Sequence, residues 1–184
     1  LTPGSRTCPC CADGRHAPDR RRFIQGAGLL AGSAFAVGAS SLARASGKAE
    51  ALMISCMDYR LADNVHGLMS ALGMTDRYDH IVLAGASAGV ISDQFADWHD
   101  TFWSHLEVAV QLHGIHSVIV VDHRDCGAYK IAFGEDHVQD RDLEMQVHAD
   151  VVRQLRAALA ERKPELGFEA YLMSLNGTAE IIPD

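Results

Sequence analysis

From residue 46 onward, apolar positions fall into short continuous runs separated by longer stretches in which they recur every three or four residues. The runs are Ala51 to Ser55, Ile81 to Ala84 and Ser117 to Val121. The third is rich in β-branched side chains (Val118, Ile119, Val120, Val121), as expected of a strand covered on both faces. Between the runs, His105 to His113 carries Leu106, Val108, Ala109 and Leu112 at helical spacing, and Gly114 followed by Ile115 predicts a left-handed helix stop. Leu143 to Ala160 places Met145, Val147, Val151, Val152, Leu155 and Leu159 on or near one helical face before Lys163-Pro164 ends it. Phe168 to Leu175 reads as a last strand, closed by Asn176-Gly177. Strands alternating with helices predict an α/β fold, a mainly parallel central β-sheet flanked by helices, in a single domain over 46–184.

Charge divides the chain at the start of this pattern. Residues 1–45 carry six basic and two acidic side chains, a balance of +4; the remainder carries ten basic and twenty-two acidic, a balance of −12. An acidic body without a Lys/Arg cluster lacks the footprint of a nucleic-acid binder, so a small-molecule substrate is expected and no nucleic acid. Within the basic leader, Asp19-Arg20-Arg21-Arg22-Phe23-Ile24-Gln25 resembles the twin-arginine export motif. A Gly/Ala-rich apolar stretch from Phe23 to about Leu42 follows, and Ala43-Arg44-Ala45 has a small-x-small cleavage pattern. Residues 1–45 are therefore expected to be a cleaved signal peptide, with the export machinery as a partner and a periplasmic or otherwise exported product. An uncleaved membrane anchor is the alternative, disfavoured by Gln25, Ser33, Ser40 and the glycines from Gly26 to Gly38. Cys8, Cys10 and Cys11 would leave with the leader, and Cys56 and Cys126 would remain.

Those two cysteines lie in the segments that carry the chemistry. Cys56-Met57-Asp58-Tyr59-Arg60 and His123-Arg124-Asp125-Cys126-Gly127 each directly follow an apolar run. In open parallel sheets, ligands bind beyond the carboxyl ends of the strands, so the two segments can meet although Cys56 and His123 are 67 positions apart. Two thiolates and one imidazole suit a tetrahedral zinc ion whose fourth position stays open for water. A Cys56–Cys126 disulfide is the alternative in an oxidising compartment, but it does not account for His123, Asp58 and Arg60. Extended backbone through Arg60 would point Cys56, Asp58 and Arg60 to one side. Zinc with two thiolates carries no net charge and polarises its water less than a tri-histidine site. Asp58 is expected to accept the proton of the bound water, and Arg60, bidentate to that carboxylate, to keep it ionised and aimed.

Cys-x-Asp-x-Arg after a strand, then Leu106-Glu107-Val108-Ala109-Val110, then a β-branched strand entering His-x-x-Cys-Gly, resembles the β-class carbonic anhydrases over roughly Ala51 to Ile182. The resemblance implies one zinc ion per subunit on Cys56, His123 and Cys126, a hydrogen-bonded Asp58–Arg60 dyad, and Gly127 beside substrate. It implies reversible hydration of carbon dioxide to bicarbonate and a proton through zinc-bound hydroxide, and a homodimer or higher homo-oligomer. A resting state with Asp58 on zinc is also implied. Relatives with the same ligands hydrolyse carbonyl sulfide or carbon disulfide, and a catalytically silent zinc or bicarbonate binder would be expected to lack Asp58 or Arg60. Two positions depart from the family pattern: Ala86-Ser87-Ala88-Gly89 stands where Arg-Asn-Ala-Gly is usual, and Tyr59 stands where a small residue is common.

Weaker signals complete the reading. Gly85-Ala86-Ser87-Ala88-Gly89 matches a Gly-x-Ser-x-Gly nucleophile elbow, which would make Ser87 a hydrolase nucleophile. His99, His105, His113 and His116 are candidates to carry a proton to solvent. Asp136 to Glu144 reads as a solvated loop and helix start, and Trp98, Phe102 and Trp103 as core or dimer contact.

Overall fold

The computed structural model of the chain describes residues 48–183. The twin-arginine motif, the cleavage pattern and Cys8, Cys10 and Cys11 lie outside the described residues. Among the described residues no helix is long and apolar enough to cross a membrane.

Five strands form one sheet: β1 (Ala51–Ser55), β2 (Tyr78–Val82), β3 (Ser117–His123), β4 (Gly167–Met173) and β5 (Ala179–Ile181). The helices are α1 (Ala62–Ala71), α2 (Ser87–Ile91), α3 (Ala96–His113), α4 (Gly127–Phe133) and α5 (Arg141–Arg162). Sheet order is β2-β1-β3-β4-β5, parallel throughout except for the antiparallel β4–β5 pair. The expected α/β architecture is present.

Period-two alternation divides the core into two layers. Leu52 and Ile54 of β1, Val118 and Val120 of β3, and Ala170 and Leu172 of β4 pack against Phe102, Leu106 and Ala109 of α3 and Val152, Leu155 and Leu159 of α5. Ala51, Met53, Ile119, Val121 and Met173 face the other way, onto Leu61 and onto Val65 and Met69 of α1. Because both faces are covered, β1 and β3 are apolar almost without interruption.

Helix ends follow local chemistry. Gly114 closes α3 at φ 67 and ψ 37, as expected for a left-handed stop. Asp140 opens α5 by accepting from the backbone N–H groups of Asp142 and Leu143. Phe102 is fully buried, whereas Trp98 stacks on Phe95 and Trp103 lies under Arg162, so the aromatic trio is divided between core and surface.

Several boundaries differ from the sequence reading. The second strand is Tyr78–Val82 rather than Ile81 to Ala84, because the chain turns at Leu83 toward Gly85. The last run is two strands: β4 ends at Met173, and a turn through Asn176-Gly177 returns the chain as β5. The backbone is not extended through Arg60; it turns at Tyr59 and Arg60, with the Arg60 N–H donating to Asp58 Oδ1 at 3.0 Å. This side-chain-closed turn is a local alternative to a strand that Asp favours.

Candidate metal centre

β1 and β3 are neighbours in register, Ser55 opposite Val121, so the residues that leave their carboxyl ends emerge together. Cys56 follows β1, His123 ends β3 and Cys126 precedes α4, and their ligand atoms all lie within 4.8 Å of one another. The two sulfurs are 3.9 Å apart and both cysteines are free. That separation is far beyond the bond of about 2.05 Å that a disulfide requires.

Each ligand is oriented by its surroundings. His123 Nδ1 lies 2.8 Å from the Arg124 carbonyl oxygen, which requires the N–H on Nδ1 and leaves Nε2 as the ligand nitrogen. Buried Nε2 has no hydrogen-bond partner. The Gly85 N–H donates to Cys56 Sγ at 3.3 Å, from a backbone at φ 75 where a Cβ would come within 2.9 Å of the Ala128 Cβ. Glycine there meets both a conformational and a spatial need.

Protonation of the cluster is shared. The Cys56 thiol is lowered, chiefly by its hydrogen bond with Cys126 and against the effect of burial, with further help from His123. Cys126 is raised by the same contact and by burial. Burial alone would lower His123, but the Cys56 sulfur and the Arg124 carbonyl raise it on balance. The sulfur–sulfur contact therefore favours ionisation at Cys56 over Cys126.

These residues fit a zinc ion. Two Zn–S bonds of about 2.3 Å at a tetrahedral angle separate the sulfurs by about 3.8 Å, close to the spacing present. An orphaned buried imidazole nitrogen within 4.8 Å of two sulfurs is a donor set for a thiophilic divalent cation.

Asp58 stands beside this cluster, Oδ2 being 3.9 Å from His123 Nε2. Arg60 donates from Nε to Asp58 Oδ1 at 2.9 Å and from Nη2 to Oδ2 at 2.7 Å. Those bonds lower the Asp58 carboxyl to about 2 despite partial burial. Tyr59 projects outward with 88% exposure, so it does not crowd Asp58. Nothing lies within 4 Å of where a Cβ on Gly127 would be, and that position is open.

Other sequence expectations are corrected. Ser87 is fully buried, and its hydroxyl donates to Asp122 Oδ2 at 2.5 Å and lies 2.7 Å from Tyr129 Oη. Strand alternation turns Asp122 away from His123, into a closed knot that also includes His148 Nδ1 at 3.0 Å. A hydroxyl sealed in this way is structural, which removes the nucleophile-elbow reading. The Gly-x-Ser-x-Gly pattern instead opens the short α2, with strain at Ala86 (φ 41).

Among the proton-carrier candidates, His116 donates its backbone N–H to Glu50 O at the amino end of β1, roughly 20 Å of strand from Cys56. His113 pairs with Asp79, level with Leu52 in the sheet. His99 and His105 contact the Ser92 and Thr101 carbonyl oxygens. Glu144, read as solvated, is buried; it accepts from Arg124 Nη1 at 2.8 Å and from the Asp125 N–H at 2.7 Å. Asp125 also escaped the sequence reading, although its place inside the ligand turn was a signal for it.

Fold and site together define an α/β protein with a Cys-His-Cys centre, able to hold one metal ion, at the carboxyl edge of a parallel sheet. Residues 46–158 match the profile of the family described as "Putative carbonic anhydrase", and the chain belongs to that family. An uncharacterized protein of Rickettsia conorii is 37% identical over 135 residues, covering 73% of each chain. An uncharacterized protein of Rickettsia bellii is 35% identical over 135 residues, covering 73% of this chain and 82% of its own. Among solved structures, a mutant of the β-carbonic anhydrase CafD of Aspergillus fumigatus has a TM-score of 0.51 at 15% identity, over 77% of this chain and 92% of that one. Wild-type CafD has a TM-score of 0.50 at 15% identity, over 76% and 92%. The fold is therefore that of the β-carbonic anhydrases.

Proposed function

We propose that this chain is a zinc-dependent carbonic anhydrase that interconverts carbon dioxide with bicarbonate and a proton, using Cys56, His123 and Cys126 as ligands and Asp58 with Arg60 as the acid–base pair. The observation that carries the reading is the convergence of three donor atoms within 4.8 Å, with an Arg-bound carboxylate 3.9 Å from the ligand nitrogen of His123. Zinc bound by these three residues would supply Lewis acidity and an open coordination position, bringing the ionisation of water toward neutral pH.

The chain's own residues supply the rest. Asp58, held ionised by Arg60, presents Oδ2 as the acceptor of a proton from water at the centre and orients that water by the same hydrogen bond. Arg60 donates to both carboxylate oxygens, which keeps Asp58 charged, and Oδ2 has a further lone pair for water at the centre. His123 keeps its Nδ1 proton on the Arg124 carbonyl and offers only Nε2. Gly127, open above the last ligand, is assigned to the substrate side. Self-association as a homo-oligomer belongs to the same proposal, as does export by the twin-arginine-like leader. Support for the former is the apolar exposure of Met57, Tyr59, Val82 and Ile131.

Stopped-flow rates with carbon dioxide, carbonyl sulfide and carbon disulfide, on zinc-loaded protein and on protein stripped by a chelator, test the reading. Zinc-dependent turnover of carbon dioxide above the other two is the expected result. Preference for a sulfur-containing substrate would reassign the reaction, and no turnover of any would overturn it.

A further inference from the structure

A carboxylate that orients a reacting group must itself be held, and here the second hold comes from the opposite ligand segment. Arg60 offers five N–H donors in one plane. Two face Asp58; on the other side Nη1 donates to Asp125 Oδ2 at 3.0 Å, and Nη2 also donates to the Asp125 carbonyl at 3.2 Å. One guanidinium thereby joins the Cys56 segment to the turn between His123 and Cys126.

That turn is anchored from behind. Asp125 stands at φ 58, a left-handed backbone that Asp and Asn tolerate better than most residues. Its N–H donates to Glu144 Oε1 at 2.7 Å, and its carboxylate also receives Lys130 Nζ. Glu144 is locked by Arg124, which donates from Nη2 to Glu180 at 2.7 Å as well. A continuous series of charge-assisted bonds thus runs from α5 through Glu144, Asp125 and Arg60 to Asp58.

We infer that Asp125 is a positioning residue, aiming Asp58 through Arg60, with Glu144 setting Asp125 in turn; the inference rests on the carbonic-anhydrase reading of the site. Asp125 and Arg60 side chains are 45% and 32% exposed, so their ion pair adds little to stability. Its contribution is orientation: Arg60 can follow Asp58 wherever the Asp58 turn drifts, unless Asp125 holds it. Drift of about 1 Å is enough to cost a reaction much of its rate.

Asp125→Asn keeps the left-handed backbone and removes the charge; Asp125→Gly keeps the backbone and removes the side chain. In zinc-loaded protein both are expected to retain full zinc and an unchanged KM, to lose roughly tenfold in kcat, and to add no further loss in an Asp58→Asn background. A second readout needs no turnover: the Nε–H of Arg60, followed by NMR, should exchange with solvent at least about tenfold faster in both variants, and its resonance should shift in Glu144→Gln. Unchanged kcat and exchange, or a loss that multiplies with Asp58→Asn, would overturn the inference. Should one variant fail to fold, the other carries the same readings. Wild-type protein that turns over none of the three substrates would defeat the functional reading, while the Arg60 resonance would still decide the role of Asp125.

Discussion

Cys56 and Cys126 face each other sulfur to sulfur at 3.9 Å, across 70 positions of sequence, close enough for one thiol to donate to the other sulfur. That contact lowers the Cys56 thiol and, with burial, raises Cys126. A metal ion that takes both sulfurs must expel the remaining proton, and any carried by Nε2 of His123. Zinc uptake near pH 7 is therefore expected to release about one to two protons per ion, with affinity falling as pH falls. Calorimetric titration in buffers of different ionisation enthalpy measures the number directly; uptake without proton release would contradict the arrangement.

Asp58→Asn should separate metal binding from chemistry. Asn preserves the size of the side chain but replaces one charged acceptor oxygen by an N–H donor, so it orients water poorly. Zinc content is expected to be unchanged while kcat falls by about 10²- to 10⁴-fold. Loss of zinc in parallel with activity would instead make Asp58 a ligand-supporting group.

The Asp58–Arg60 pair also leaves a mark on acid stability. The folded-state pKa of Asp58, about 2, lies below the ordinary 3.8, so the folded state binds this proton less readily than the unfolded one. The pair's contribution is fully present above about pH 4 and disappears as pH falls through about 2. Urea unfolding of wild type and Asp58→Asn should show a constant difference from pH 4 to pH 6 that closes toward pH 2. A difference that persists at pH 2 would argue against the depressed pKa.

Gly85→Ala should reach the metal centre without touching a ligand. An added Cβ meets the Ala128 Cβ at 2.9 Å and sits on a backbone at φ 75. Relief requires moving the loop whose N–H bonds Cys56 Sγ. Weaker zinc retention, with a faster release rate to a chromogenic chelator, is expected alongside a stability loss of about 1–3 kcal/mol. Zinc release at the wild-type rate would show that the Gly85 bond does not support the thiolate.

Ser87→Ala tests the buried knot. Asp122 would lose the 2.5 Å hydroxyl donor while remaining buried, at a cost of about 1.5–3 kcal/mol. Chemical denaturation measures that cost, and a fluorophosphonate probe should leave the wild-type protein unlabelled. Labelling at Ser87 would reopen the hydrolase reading.

Strong local signals made much of this legible in the sequence. The β-branched run of β3 and the Gly114 stop are local signals and appear where expected. The three candidate ligands are legible because Cys56, His123 and Cys126 fall at or just beyond the ends of apolar runs. What escaped depends on tertiary partners. Strand β5 has only three residues, Ala179–Ile181, too few for alternation to register, and exists because β4 offers it an edge. Glu144 sits in an acidic stretch that reads as solvated, and only the approach of Arg124 and the Asp125 N–H makes its burial tolerable. Asp58 and Arg60 meet through a turn that Asp closes on itself, a competitor to extension that a period-two pattern does not reveal.

Ser55 stands opposite Val121, and that pairing sets where the two halves of the donor set emerge. Sliding β1 by a single residue against β3 would reverse which face each side chain occupies and carry Cys56 away from its co-ligands. A cation can be gripped only by the correctly threaded sheet. Its capture would selectively reward that alignment over every slipped one, so a bound ion would act as a proofreader of folding.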